Sequence, residues 1–262
     1  MTGTGMGSTV VRLDEVSKIF GSNGNRTAAV RDISLEASSG ELVLLLGPSG
    51  SGKTTLLTLI AGLVEPTSGA VSLFGRNIED YTPKELQRLR AMRIGFVFQT
   101  FHLIDSLNVT ENVALVLRFA GKTRTEAKRH AKDLLGQFHI EHLFRKFPAN
   151  LSQGEKQRVA VARAIANGAE LIIADEPTAS LETKQGFDII RLLHEYAKER
   201  NRCVIVASHD LRIVEFADRV LRLEDGVITK TQSRTFNAFP AHLSIQEDIS
   251  VLSSGKSPDT VI

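Results

Sequence analysis

The sequence predicts an α/β fold in which a mainly parallel sheet carries helices on its faces and contains an inserted helical subdomain. Three observations indicate this fold. Short apolar runs of strand length alternate along the chain with segments of helical periodicity. A glycine-rich loop joins one of these runs to the helical segment behind it. Between residues 101 and 140 the β-branched runs stop and helical patterns replace them.

The glycine-rich loop fits the phosphate-binding pattern G-x-x-x-x-G-K-[ST] at every fixed position. The loop consists of Gly47, Pro48, Ser49, Gly50, Ser51, Gly52, Lys53 and Thr54. The apolar run 41–46 before it reads as a buried strand, and residues 54–61 behind it read as a helix. An accidental glycine turn would not explain this context. We therefore expect a nucleotide site, in which the loop N–H groups meet phosphate oxygens at a helix N-terminus.

Two side chains of this loop have specific expected roles. Lys53 is expected to reach the β- and γ-phosphates, and the Thr54 hydroxyl is expected to ligate Mg²⁺. We include the adjacent Thr55 among the nucleotide-binding residues. The sequence thus predicts that a nucleotide and Mg²⁺ bind at the start of this helix.

Polar side chains follow three of the apolar runs. Asp175 and Glu176 end one run, Gln99 ends another, and His209 closely follows a third. Ligands in open α/β sheets bind outside the carboxyl ends of the strands, so these side chains should meet the glycine loop at one sheet edge. We expect Asp175 near Mg²⁺ and Glu176 near the water that attacks the γ-phosphate. Gln99 is expected at Mg²⁺ or at this water, and His209 at the γ-phosphate or the water, although a lone histidine is more often structural.

A second segment has the features of an anion site. Ser152, Gln153, Gly154 and Glu155 precede a helix predicted over residues 156–166. A serine and a glycine at a helix start leave free N–H groups at the positive end of the helix dipole. A second set of phosphate contacts in the same chain suggests that the complete site forms between two chains.

Each of two apolar features of the sequence has two possible interpretations. Phe20 is either a core aromatic or a surface on which an adenine ring stacks. The apolar group around Gln99 is either the core of the helical subdomain or a groove for a helix of a membrane protein, and we favour a mixture of both. Its members are Phe98, Phe101, Leu103, Ile104 and Leu107.

The remaining elements follow in order. Residues 10–13 and 28–35 read as strands joined by a turn, which predicts an N-terminal antiparallel β-subdomain. Capping boxes begin helices at Thr82 and Thr123. The second of these helices has a basic face, which is more typical of a solvated surface than of a ligand site. That face consists of Lys128, Arg129 and Lys132.

Composition excludes several classes of protein. The 32 basic and 30 acidic residues give a net charge of only +2, so no global field favours nucleic acid. The single cysteine, Cys203, excludes an internal disulfide and lies in an apolar run, where a buried strand residue is expected. No apolar run approaches the ~20 residues that span a bilayer, and residues 1–8 do not resemble a signal peptide. We expect a cytoplasmic chain that meets a membrane only through a partner.

Five motifs occur in the order found in the ATP-binding cassette ATPases. They are the phosphate loop, Gln99, LSQGEKQRVAVARAIA from residue 151, LIIADEPTASLE from residue 171 and SHD from residue 208. The chain is similar to this family from Val10 to Lys230. The resemblance implies a P-loop NTPase with the two-lobed cassette fold. It also implies a head-to-tail dimer, in which ATP lies between the phosphate loop of one chain and Ser152 and Gly154 of the other.

The resemblance also implies roles for individual residues. Phe20 would stack on adenine, and Gln99 would sense the γ-phosphate and report to the partner. Glu176 would be the general base, and His209 would position the water. Residues 179–182 would form the loop that crosses the dimer interface. An ATPase domain is therefore expected over residues 9–230, with the helical subdomain and signature at about 100–168, between a flexible segment 1–8 and a mobile tail 231–262.

Residues 88–113 most resemble the cassettes of macrolide-exporter and lipoprotein-releasing systems, and a cell-division cassette is similar. Such cassettes drive a membrane permease that transmits mechanical motion. A soluble cassette that acts on ribosomes or DNA is the main alternative, but a single cassette without a long coiled coil does not favour it. A regulatory protein that binds nucleotide without hydrolysis is a further alternative, which the presence of Glu176 and His209 disfavours.

The motifs depart from the family pattern at four positions. Gln153 stands where glycine is usual, and Glu155 stands where glutamine is usual. Glu182 replaces an aspartate in the interface loop, and Phe20 replaces a common tyrosine. We expect the first three to affect the dimer interface or the hydrolysis rate, whereas Phe20 keeps the stacking surface.

Overall fold

The computed structural model describes residues 8–21 and 26–233, which form two sheets and a set of helices. The N-terminal sheet is antiparallel and has the order β2-β1-β4-β5. Its strands are Thr9–Phe20 (β1), Thr27–Ser38 (β2), Ser68–Leu73 (β4) and Arg76–Asn77 (β5). The predicted N-terminal β-subdomain is confirmed.

The central sheet has the order β10-β9-β3-β8-β7-β6 and is parallel except for the pair β9–β10. Its strands are Leu42–Leu46 (β3), Ile94–Val97 (β6), Leu171–Asp175 (β7), Cys203–Ser208 (β8), Arg219–Glu224 (β9) and Val227–Ser233 (β10). The predicted, mainly parallel core sheet is confirmed. Its parallel direction brings the carboxyl ends of β3, β6, β7 and β8 to one edge.

Helices cover both faces of the central sheet. The α-helices of the described ranges are Lys53–Ile60 (α1), Pro83–Arg93 (α2), Val109–Phe119 (α3), Arg124–Gln137 (α4), Gln153–Ile165 (α5) and Thr183–Glu199 (α6). Helix α3 packs against α4 and α5, which gives the predicted helical subdomain. No helix in the described ranges is long and apolar enough to cross a bilayer.

Strands β3, β6, β7, β8 and β9 of the central sheet supply side chains to two cores. In β3, Leu42, Leu44 and Leu46 face the core shared with α3 to α6, whereas Val43 and Leu45 face the core beneath the N-terminal sheet and α1. This burial on both faces explains why the strand is an unbroken apolar run. Cys203 of β8 is buried in the second core, and burial raises the pKa of its thiol, as expected for an unreactive strand cysteine.

Side-chain caps determine where several helices begin. The capping boxes predicted at Thr82 and Thr123 are both present, with Glu85 and Glu126 as the reciprocal partners. On α4, apolar Ala127, Ala131, Leu134 and Leu135 are buried while the basic face is largely exposed, as predicted.

Several predicted boundaries differ from the structure. Helix α5 begins at Gln153 rather than at residue 156, because Ser152 caps it. The segment Leu211–Phe216 forms a 3₁₀ helix. Strand β10 continues to Ser233, past the start of the predicted tail. Residues 234–262 and 1–7 lie outside the described residues, so their predicted mobility stays a prediction.

Candidate active site

The polar residues predicted from the strand ends come together in one pocket. This pocket has a volume of about 470 Å³ and lies at the carboxyl edge of the central sheet. The predicted residues that line it are Pro48, Ser49, Gly50, Gly52, Lys53, Thr54, Thr55, Gln99, Asp175, Glu176 and His209. Four chain segments that are distant in sequence thus form a single site.

The glycine loop depends on its glycines for shape. Gly50 has a φ of +81° and Gly52 a φ of +101°, a region that L residues rarely adopt. A Cβ on Gly52 would also collide with the carbonyl oxygen of Ala29. Gly47 and Ser51 do not line the pocket. A Cβ on Gly47 would collide with the backbone of Leu223, and Ser51 is buried. The loop therefore forms a tight turn at the N-terminus of α1, where anions bind favourably.

Lys53 is held inside this loop. Its side chain is only 6% exposed, and its Nζ donates to the carbonyl oxygens of Gly47 at 2.8 Å and Pro48 at 2.9 Å. The same Nζ lies 3.4 Å from Oε1 of Glu176. The ammonium group is thus fixed between the loop and the carboxyl edge of the central sheet. Phosphate oxygens can replace the carbonyl and carboxylate oxygens that contact it there.

Asp175 presents one oxygen to Thr54 and leaves the other unused. The Thr54 hydroxyl donates to Oδ2 at 2.8 Å, while Oδ1 is buried and has no hydrogen-bond partner within the described residues. Burial raises the pKa of Asp175, and the bond from Thr54 opposes this shift. A desolvated carboxylate oxygen without a partner is costly, so the geometry suits a site that a cation completes.

Glu176 lies between two nitrogen groups. Its Oε2 is 3.0 Å from Nδ1 of His209, and its Oε1 faces Lys53. The Glu176 backbone has a φ of +47°, a conformation that a bulky residue rarely adopts and that often accompanies a functional site. These contacts hold the carboxylate at the pocket wall, where it can accept a proton from water.

Phe20 does not line this pocket. It ends β1 with a side chain that is 45% exposed, and Nζ of Lys18 lies 5.3 Å from its ring centroid. Its exposure excludes the alternative that Phe20 is a core aromatic. The neighbouring residues 22–25 lie outside the described ranges.

The predicted second anion segment lies apart from the pocket. Ser152 and Gln153 are exposed at the start of α5, whereas Gly154 is buried against the side chain of Gln185. Ser152 Oγ accepts from Glu155 N, and Glu155 Oε2 accepts from Ser152 N at 2.7 Å. The capping function of Ser152 was missed, although the S-x-x-E pattern signals it. In this chain the Glu155 carboxylate therefore pairs with the Ser152 N–H at the helix start.

One residue of the pocket was missed altogether. Ala29 of β2 lines it, because the N-terminal sheet folds over the phosphate loop. An alanine carries no chemical signature, so only the tertiary fold identifies it.

Comparisons with known proteins identify the family of this chain. The family model described as "ABC transporter" matches residues 30–179. The ATP-binding protein HrtA of Staphylococcus saprophyticus, which is named for hemin import, is 39% identical over 84% of this chain and 98% of its own. The macrolide export ATP-binding/permease protein MacB of Agrobacterium fabrum is 36% identical over 90% of this chain and 37% of its own length.

A solved structure has the same fold. The dimeric post-hydrolysis state of the ATP-binding cassette MJ0796, bound to ADP and Pi, matches with a TM-score of 0.80 at 36% identity. The match covers 86% of this chain and all of the other. These matches confirm the cassette fold and the resemblance to the macrolide-exporter type. The chain therefore belongs to the ABC transporter family, as an ATP-binding subunit with ATPase activity.

Proposed function

We propose that two copies of this chain pair head to tail around two ATP molecules, and that the pair drives a membrane permease. The observation that carries the pairing is the location of the signature segment. Ser152 and Gln153 are exposed at the start of α5 and contribute nothing to the nucleotide pocket of their own chain. A second copy can bring this helix N-terminus to the γ-phosphate. The dimeric structure of MJ0796 with ADP and Pi supports a dimer as the working unit.

We propose Thr54, Gln99 and Asp175 as the residues that hold Mg²⁺. The unpartnered Oδ1 of Asp175 and the Thr54 hydroxyl are hard oxygen donors of the kind that Mg²⁺ prefers. The Gln99 side chain lines the same pocket. When bound, the ion would neutralise charge on the β- and γ-phosphates.

Hydrolysis is assigned to the residues around Glu176. ATP phosphates would take Lys53 away from Glu176 and leave this carboxylate to accept a proton from the attacking water. His209, whose Nδ1 lies 3.0 Å from Glu176, would orient the carboxylate and the water. Phe20 would stack on the adenine through its exposed ring face.

We propose that the membrane partner binds in a groove between α2, β6, α3 and α5, which we call the α2–α3 groove. It has a volume of about 900 Å³ and exposes large apolar side chains; Phe119 is 72% exposed and Met92 41%. Large exposed apolar side chains that lie together are typical of protein interfaces, and a groove between helices suits an amphipathic helix. Of the apolar group around Gln99, Phe98 lines the groove, whereas Leu103 packs against the core.

We propose a system of the export or mechanotransmission type, because residues 88–113 resemble the cassettes of macrolide-exporter and lipoprotein-releasing systems. MacB is named as both an ATP-binding protein and a permease, which supports a permease as the partner. HrtA is named for hemin import, so the names of the relatives span both directions. On this proposal the chain lies on the inner face of the cell membrane, attached through the permease.

Substitutions in the α2–α3 groove test whether the chain binds a membrane partner there. Met92→Asp and Phe119→Asp should each abolish co-sedimentation of the chain with membranes from its own cells, while the Kd for ATP changes by less than roughly twofold, since the two sites are separate. Leu211→Asp is the control, because Leu211 is 62% exposed but lies outside the groove. Groove variants that stay on the membrane, or a control that leaves it equally, would contradict the proposal.

A further inference from the structure

The segment that follows β6 has an unusual backbone. Phe101 has a φ of +60° and His102 a φ of +47°, so two consecutive residues with side chains adopt the left-handed region. Glycine adopts this region readily, and asparagine and aspartate do so occasionally, but other residues rarely do. Such a conformation persists only when the surrounding structure holds it in place.

Arg163 of α5 holds this segment. Its Nη1 donates to the carbonyl oxygen of His102 at 2.5 Å, and its Nη2 donates to that of Phe101 at 2.7 Å. The two terminal nitrogens of the planar guanidinium group thus donate to the carbonyl groups of two successive residues. Burial lowers the pKa of Arg163, and no ion pair to a carboxylate accompanies it within the described residues. A half-buried cation without a carboxylate is costly, which indicates a specific role.

The segment that Arg163 holds separates two sites. Gln99 lines the nucleotide pocket, whereas Phe98 and His102 line the α2–α3 groove together with Arg163 itself. The rings of Phe98 and His102 lie 4.7 Å apart. Five consecutive residues therefore reach from one site to the other, and any shift of this segment changes both.

Helix α5 carries Arg163 at the end opposite to the signature. The helix has 13 residues and begins at the Ser152 cap, so it spans about 20 Å. In its middle, Gln157 Nε2 donates to the carbonyl oxygen of Pro177, the residue after Glu176. Helix α5 therefore contacts the backbone beside both Glu176 and Gln99, while its N-terminus faces outward.

We propose that Arg163 is a positioning residue that couples the signature end of α5 to Gln99 and to the α2–α3 groove. It does so by holding Phe101 and His102 in their left-handed conformation through its bonds to their carbonyl groups. Movement of α5, when ATP of a second copy binds at Ser152, is transmitted through Arg163 to the segment that forms the groove wall. This inference rests on the proposed roles of Gln99 and of the groove.

A double-mutant cycle in the full-length chain tests this coupling. Arg163→Met keeps the length of the side chain and removes both donors. It should lower kcat by about tenfold and leave the Kd for ATP unchanged, because Lys53 and Phe20 are untouched. Gln99→Ala should lower kcat to a similar degree, and the double variant should be no slower than either single variant. Arg163→Lys keeps the charge and one donor nitrogen in place of two. It should therefore recover part of the activity.

The control is Arg158, on the same helix, whose Nη2 lies 3.4 Å from Asp188 and which lines neither site. Arg158→Met should leave kcat unchanged. Hydrogen exchange supplies a second readout: ATP should alter protection of residues 98–104 in the wild type and in Arg158→Met, but not in Arg163→Met.

The possible outcomes distinguish a failure of the proposed role of Arg163 from a failure of the proposed function. If the losses of Arg163→Met and Gln99→Ala multiply in the double variant, Arg163 does not act through Gln99 and the inference fails, while the proposed function stands. If Gln99→Ala leaves kcat unchanged, the proposed role of Gln99 fails and the inference fails with it. If ATP still alters protection of residues 98–104 in Arg163→Met, the coupling does not run through Arg163.

Discussion

Replacing Glu176 with glutamine removes a charge and a proton acceptor while it preserves the shape of the side chain. In the structure its oxygens lie 3.0 Å from His209 Nδ1 and 3.4 Å from Lys53 Nζ. A general base typically contributes about 10²–10⁴-fold to the rate, so kcat of Glu176→Gln should fall at least about 100-fold. The ion pair with Lys53 is lost as well. Since Lys53 is then freer to meet phosphate, the Kd for ATP should stay equal or decrease.

Two assays test this prediction by measuring kcat and the Kd for ATP. Phosphate release gives kcat, and equilibrium titration with a fluorescent ATP analogue gives the Kd. Asp188→Asn is a matched control, because Asp188 is a partly exposed carboxylate that pairs with Arg158 outside the pocket. A kcat for Glu176→Gln within tenfold of the wild type would refute the assignment of the base, and an equal loss in Asp188→Asn would show that the effect is not specific.

Two further predictions concern the adenine and the metal. Phe20→Ala should raise the Kd for ATP about tenfold, as expected for the loss of one base-stacking surface, whereas Phe20→Tyr should leave it unchanged; equal Kd values for Phe20→Ala and the wild type would exclude stacking. Asp175→Asn should abolish Mg²⁺-dependent turnover and yet raise Tm at pH 7, because burial raises the pKa of Asp175 and its ionised form destabilises the folded chain. This gain should disappear below pH 3.8, where the carboxyl is protonated in both states, and a Tm difference independent of pH would contradict it.

The features that follow from local sequence were predicted well. Strand β3 is buried on both faces, and this requirement produces an apolar run that can be read directly. The phosphate loop needs glycines where the backbone enters the left-handed region, so its position is fixed by few residues. The edge where Gln99, Asp175 and His209 meet follows from the parallel direction of the strands.

The features that depend on tertiary contacts were not predicted. Ala29 reaches the pocket only because β2 folds over the loop, and an alanine gives no chemical signal. The bonds from Arg163 to Phe101 and His102 join residues about 60 positions apart, which no local pattern encodes. Strand β1 extends past residue 13 to Phe20 through several register shifts, which interrupt the alternation on which a sequence prediction depends.

The proposed pairing depends on whether a signature segment can act on the ATP of another chain. Ser152→Asp keeps an N-cap residue for α5, so the helix should stay folded, but it adds a negative charge where the γ-phosphate would dock. Thr123→Asp makes the same change at the start of α4 and is the control. Lys53→Ala disables the phosphate loop and leaves the signature segment intact.

The most direct test is the ATPase rate of an equimolar mixture of Lys53→Ala and Ser152→Asp, each inactive alone. If sites form between chains, half of the randomly paired dimers contain one intact site of two, so the mixture should recover about a quarter of the wild-type rate per chain. Mixing Lys53→Ala with Thr123→Asp shows whether a chain with an intact site pairs normally. Full activity of Ser152→Asp alone, or no recovery in the first mixture, would contradict the head-to-tail site.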